Sequence, residues 1–190
     1  MSVERIITVF GSSRPQESDE EYGEARELGQ LLADRGFALC TGGYGGVMEA
    51  VSRGAKEVGG KVYGVTAEFF ARKANEWVDV EVRMKTWEER LFELIRLADG
   101  FVACKGGTGT LVELAVVWEM LNKGVMPAKP FIVLGDFWTP ILGRVREVEQ
   151  GPRPPTEAPK WGEAKGNLVH TAGTPEDVAR YFLKEFKKVN

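Results

Sequence analysis

Two glycine-rich stretches hold the residues best suited to chemistry: Thr41-Gly42-Gly43-Tyr44-Gly45-Gly46 and Lys105-Gly106-Gly107-Thr108-Gly109-Thr110. Each follows an apolar run and precedes a helical pattern. Glycine lets backbone N–H groups approach an anion closely. A helix opening there adds unpaired N–H groups and the positive end of its dipole. Phosphate is the ligand such a loop fits, and Thr110 can add a hydroxyl donor. Glu113 stands three residues beyond Thr110, in the first turn of the same predicted helix. A phosphate held at that N-terminus brings the rest of its ligand within reach of the carboxylate, which can position or activate water. On the plainer reading both loops are only tight strand–helix turns, and Glu113 is a helix acid favoured by the dipole.

Neither loop is a standard nucleotide fingerprint. No Gly-x4-Gly-Lys-Ser/Thr string exists, so a P-loop is excluded. In the dinucleotide pattern Gly107 and Gly109 fit, but Val112 stands at the third glycine's place; Gly43 and Gly45 fit, but Met48 stands there. A single histidine, His170, rules out multi-histidine metal sites and argues against a Ser-His-Asp triad, and two cysteines, Cys40 and Cys104, cannot make a four-ligand zinc site by themselves. The cysteines end buried strands and read as core thiols in a reducing cytoplasm. No metal and no organic cofactor is expected.

Net charge is −3, from 25 basic and 28 acidic residues, which leaves no basic footprint for nucleic acid. No apolar run approaches the roughly 18 residues of a membrane span, and the N-terminus lacks the form of a signal peptide. Neither nucleic acid nor membrane is therefore an expected partner. The 190 residues are 43% hydrophobic and 28% charged, as expected for one ordinary globular domain over 1–190.

The elements that must position these residues alternate along the chain. Strands are predicted at 6–10, 37–40, 61–65, 78–82, 100–104, 131–134 and 168–170. Helices are predicted from the Ser18 cap to Gly36, from Val47, over 86–97, 110–121 and 139–148, and from a Thr174 cap through Phe186. Residues 69–76 read as a loop with a helical turn. Trp87 and Trp118 read as core or interface anchors, Trp138, after a strand end, as a rim contact, and the stretch 151–167, rich in Pro, Gly and charge, as an irregular, mobile loop. Such alternation gives parallel pairing with right-handed crossovers, hence a doubly wound α/β fold: one mostly parallel sheet with helices on both faces, Rossmann-like. Ligands in such folds bind at the carboxyl ends of the strands where the strand order reverses. Both glycine loops and Gly11-Ser12-Ser13 fall at those ends.

The segment Lys105-Gly106-Gly107-Thr108-Gly109-Thr110-Leu111-Val112-Glu113 resembles the PGGxGTxxE signature of the LOG family, the cytokinin riboside 5′-monophosphate phosphoribohydrolases also labelled "lysine decarboxylase-like". Gly42-Gly43-Tyr44-Gly45-Gly46-Val47-Met48 is similar to the family's GGGxxGxM loop, with Thr41 for its first glycine. Glu89-Arg90 is similar to the ER of its MHERK-type segment, at the family's spacing from Glu113. Val9 to Ser13 and Gly135 to Pro140 fit further landmarks, so the resemblance covers roughly residues 5–146. It implies hydrolysis of the N-glycosidic bond of a nucleoside 5′-monophosphate, a purine such as AMP or a cytokinin-type nucleotide, to free base and ribose 5-phosphate. It implies Arg90 and Glu113 as the catalytic pair and Gly106, Gly107, Gly109 and Thr110 as the phosphate site. Gly42, Gly43 and Gly46 would shape the pocket wall, and Ser12 and Ser13 its edge. A homodimer or higher homo-oligomer is also implied.

Read without the resemblance, Arg90 is a surface residue paired with Glu89 or Glu93. With it, Arg90 can hold the carboxylate, contact phosphate or polarise the leaving base. The chain departs from the family at Lys105 (proline there), at Thr86-Trp87 (Met-His) and at Leu91 (lysine). Lys105 either adds charge toward a phosphate or is only solvated. The run Gly45 to Val51 with Arg53-Gly54-Ala55 and Gly59-Gly60 also looks like molybdenum-cofactor carrier proteins. The alternative function is therefore a non-catalytic carrier of a nucleotide or phosphorylated cofactor. Amino-acid decarboxylation has no signature in the chain.

Overall fold

The computed structural model describes residues 4–149 and 167–187. The strands are β1 (Ile6–Phe10), β2 (Ala38–Thr41), β3 (Val62–Ala67), β4 (Val80–Met84), β5 (Gly100–Ala103), β6 (Phe131–Leu134) and β7 (His170–Ala172). The helices are α1 (Glu20–Asp34), α2 (Val47–Glu57), α3 (Trp87–Leu97), α4 (Thr108–Asn122), α5 (Thr139–Glu149) and α6 (Pro175–Lys187), and a 3-10 turn, Glu68–Phe70, follows β3. All strands run parallel in one sheet, in the order β4-β3-β2-β1-β5-β6-β7. This is the expected doubly wound α/β fold. The order reverses between β1 and β5, so their carboxyl ends diverge into a crevice there.

Successive strand side chains point to opposite faces, and the core divides accordingly. Ile7, Val9, Leu39 and Val102 pack with α1, α2 and α6, through Leu28, Leu32, Val51 and Phe182. Phe10, Cys40, Phe101 and Val133 pack with α3, α4 and α5, through Leu94, Leu114, Trp118 and Leu142. The central strands β2, β5 and β6 are buried along their whole length, which is why they read as continuous apolar runs.

Local signals explain most element ends. Thr86 and Glu89 form a reciprocal capping box that starts α3. Thr174 caps α6 by accepting from Asp177 N–H at 3.2 Å. At α1 the N-cap is Asp19 rather than Ser18, and it makes no side-chain cap bond; its carboxylate instead accepts from Gln16 N–H at 2.8 Å. β7 begins two residues later than the apolar pair Leu168-Val169 indicated, because Val169 is spent in the core before the strand starts. Helix α4 opens at Thr108, ahead of Thr110. Of the segment 151–167, expected to be irregular, residues 151–166 lie outside the described residues.

Candidate functional site

The loops after β1 and β5 meet at the switch point. Ser12 N–H donates to Lys105 O at 3.2 Å, and Val47 N–H donates to Ser12 O at 2.8 Å. The β1 loop is thus tied both to the β5 loop and to the start of α2. Between the loops lies a cleft of about 1420 Å³. Gly106, Gly107, Gly109 and Thr110 line one end of it, at the N-terminus of α4, and Ser12 and Ser13 line its edge. Arg90 and Glu113 line its floor. Nothing lies within 4 Å of where a Cβ would stand on Gly107 or Gly109, so both backbones face open space.

Gly42, Gly43 and Gly46 are not in the lining; Tyr44 and Met48 represent that loop in the cleft. The two outer glycines act from behind. A Cβ on Gly42 would stand 1.8 Å from Arg90 Nη2, so the guanidinium occupies space that only glycine leaves free. Gly46 has φ 69°, and a Cβ there would stand 2.4 Å from Ser12 O. The loop shapes the site by seating Arg90 and the Ser12-Ser13 turn.

Arg90 is buried, not a surface residue. Its Nε donates to Val65 O at 2.8 Å and Nη2 to Gly42 O at 3.2 Å. The acids beside it in sequence are engaged elsewhere, Glu89 in the capping box and Glu93 with Arg96. Its ionic partner is Glu113, with Nη1 3.8 Å from Oε1. Because α4 begins at Thr108, Glu113 lies in the second helical turn rather than the first, deeper in the cleft and past the turn where the dipole acts most strongly. Its side chain keeps only 15% of its surface exposed. Burial drives the carboxyl up to about 7, against the opposing pull of Arg90. A carboxyl poised near neutrality can give or take a proton under ordinary conditions.

Lys105 forms an ion pair with Glu21 of α1, and both side chains are largely exposed. Its charge is therefore directed at a neighbouring acid across the cleft mouth. Cys40 and Cys104 are buried core thiols, each pushed up to about 12 by burial. Trp138 is no rim residue: it is buried, and its Nε1 donates to Cys104 O at 2.9 Å, pinning the end of β5. Among the described residues no three His, Cys, Asp or Glu side chains gather as metal ligands do. No described helix is long and apolar enough to cross a membrane.

The residue-level reading missed the aromatic lining of the cleft. Tyr44, Phe69, Phe70 and Trp87 also line it, as does Arg72. Phe69 and Phe70 fall where the sequence has no clear periodicity. The adjacent Phe-Phe pair after a strand end was the signal available.

Comparison with known proteins follows the same lines. The model of the SLOG cluster4 family matches residues 4–145. An uncharacterized protein of Archaeoglobus fulgidus is 34% identical over 132 residues, covering 67% of this chain and 82% of its own. The cytokinin riboside 5′-monophosphate phosphoribohydrolase LOG of Oryza sativa subsp. japonica is 34% identical over 143 residues, or 73% of this chain. The chain spans 58% of that rice protein's length. The structure of the molybdenum cofactor binding protein from the phototrophic bacterium Rippkaea orientalis has a TM-score of 0.73 and 25% identity, covering 100% of this chain and 99% of the other. With the family model matched over most of its length, the chain belongs to the SLOG cluster4 family.

Proposed function

We propose that this protein is a nucleoside 5′-monophosphate phosphoribohydrolase, releasing a free base and ribose 5-phosphate. The observation that carries this reading is the Arg90–Glu113 pair, 3.8 Å apart on the floor of a cleft whose other end is the N-terminus of α4. The rice relative's named activity supports it.

In this mechanism the backbone N–H groups of Gly106, Gly107 and Gly109, with the dipole of α4, hold the 5′-phosphate. The Thr110 hydroxyl and the Ser12-Ser13 edge complete the phosphate end. The ribose then lies over Glu113. The C1′–N bond breaks with its electron pair leaving on the base, and the ionised Glu113 stabilises the positive charge on the sugar. A water oxygen bonds to C1′, Glu113 accepts the proton that water gives up, and that proton passes on to the departing base, which leaves neutral and returns Glu113 to its ionised form. Arg90 keeps the carboxylate oriented, its guanidinium fixed by the Val65 and Gly42 carbonyls. A second copy of the chain is the protein partner this reading carries.

A second reading is favoured by one observation. The molybdenum cofactor binding protein covers this chain end to end, whereas the chain spans little more than half of the rice enzyme. On that reading the cleft holds a phosphorylated cofactor without turnover.

One experiment separates the two. Purified protein is incubated with AMP, GMP, CMP, UMP and isopentenyl-AMP, and free base is measured by HPLC beside a Glu113→Gln sample. The expected outcome is base release from at least one nucleotide, reduced by about 10²–10⁴-fold in the variant. No release from any of them, with a nucleotide or pterin co-purifying, selects the carrier.

A further inference from the structure

Arg90 reaches the cleft floor against an edge-to-face pair of aromatic rings. Its guanidinium carbon lies 5.5 Å from the Tyr44 ring centroid and 5.7 Å from that of Phe70. The two rings meet edge to face, 5.6 Å apart at 78°. Both distances fall within the reach of a cation–π contact, which is strongest where water is excluded. The Arg90 side chain is 8% exposed.

The carbonyl bonds alone do not fix this guanidinium. Val65 O and Gly42 O take Nε and Nη2, on one side of the plane's edge. The Nη1 end faces Glu113 at 3.8 Å, beyond hydrogen-bond length. A guanidinium held by one edge can still swing about that edge. Two rings packed against it from one side limit that swing.

The two rings are themselves held differently. Tyr44 is anchored: its hydroxyl accepts from Ala67 N–H at 2.9 Å and donates to Ala67 O at 3.3 Å, and Asn75 Nδ2 donates to Tyr44 O at 2.9 Å. Phe70 sits at the end of the 3-10 turn, 37% exposed, with ring contacts to Tyr44 and Phe69 beside the cation contact. It is the weaker of the two holds.

We propose that Tyr44 and Phe70 are positioning residues, an aromatic clamp that keeps the Arg90 guanidinium aimed at Glu113. The clamp rests on the assignment of Arg90 and Glu113 as the reacting pair. Neither ring need touch the bond that breaks; each acts through Arg90. Phe70 makes the clamp dependent on the turn that carries it, so the alignment of the pair is set partly by a segment outside both glycine loops.

The test uses Phe70→Leu, which keeps apolar bulk without a π face, and Phe70→Tyr, which restores the face. Phe70 is partly exposed, so the fold tolerates both. Two quantities are measured: kcat and KM for AMP or whichever nucleotide is cleaved, and the Glu113 carboxyl titration by 13C NMR, assigned by its loss in Glu113→Gln. Phe70→Leu is expected to lower kcat about fivefold with KM changed less than twofold. It is also expected to raise the Glu113 midpoint, because Arg90's opposing pull weakens. Phe70→Tyr is expected to restore both. An unmoved midpoint in Phe70→Leu overturns the clamp, even if kcat falls, since Phe70 would then act on substrate directly. Failure of Phe70→Tyr to restore the wild-type values also overturns it. If wild-type protein releases no base, the titration alone decides: a raised midpoint keeps the clamp while the hydrolase reading falls.

Discussion

Glu113 is a carboxyl that its surroundings push toward the neutral form while Arg90 pulls it toward the ionised one. Burial wins, and the group titrates at about 7 instead of 4.5. The consequence for stability has a definite sign. Between pH 4.5 and 7 the unfolded chain loses this proton while the folded chain keeps it, so wild-type stability falls as pH rises through that window and levels off above it. Glu113→Gln cannot titrate. The variant's stability relative to wild type is therefore expected to rise by roughly 2–3 kcal/mol from pH 4.5 to 7.5. Urea unfolding at several pH values measures the difference, and a flat difference across the window would show that Glu113 is not shifted. The residue itself was legible only through the family resemblance, because a carboxylate a few residues after a glycine turn is equally a helix acid favoured by the dipole. Arg90 was not legible from residue types. An arginine beside Glu89 and near Glu93 on a helix looks solvated, and only the carbonyls of Val65 and Gly42, far off in sequence, make it a floor residue.

At the scale of elements, strand positions were readable because strands buried on both faces show as apolar runs, and helix starts were readable where a cap is chemical, as at Thr174. Boundaries slipped where packing competed with local pattern. Val169 looked like strand but serves the core, and α4 winds back to Thr108, which moves Glu113 one turn further from the helix end. The Thr41–Gly46 turn was read as pocket wall, yet its glycines support the wall from behind, with Tyr44 and Met48 in front. That arrangement makes Gly42 sensitive. A Cβ there meets Arg90 Nη2 at 1.8 Å and Met48 Sδ at 2.6 Å. Gly42→Ala is expected to cost about 1–3 kcal/mol in folding, from overpacking in a closed space, and to displace Arg90 so that turnover falls with it. Thermal unfolding and base release on the same sample check both. A variant with wild-type melting and wild-type turnover would mean the loop yields without moving Arg90.

Over the whole molecule, the two helical layers differ in what they show to solvent. The α3, α4 and α5 layer exposes Phe92, Ile141, Val145 and Val148, whereas among described helical residues the α1, α2 and α6 layer exposes no large apolar side chain. Helix α4 itself is apolar around most of its circumference: besides the buried Leu114, Val117 and Trp118, it carries Leu111, Val112, Val116 and Met120 only partly covered. A helix of that kind is normally covered on more than one side, and exposed apolar side chains on the same layer point to that layer as an association face. On the function proposed above, the occupant is a second copy of the chain. The same helix opens at the phosphate end of the cleft and carries Glu113, so covering its outer face would stiffen the element on which the site depends. Sedimentation equilibrium at micromolar concentration is expected to give twice the 21.0 kDa chain mass. Val116→Glu is expected to shift the protein toward monomer and to lower base release per chain, because α4 loses its support. A wild-type species of 21.0 kDa at those concentrations would mean that this layer faces solvent as a monomer and that the cleft is complete within one chain.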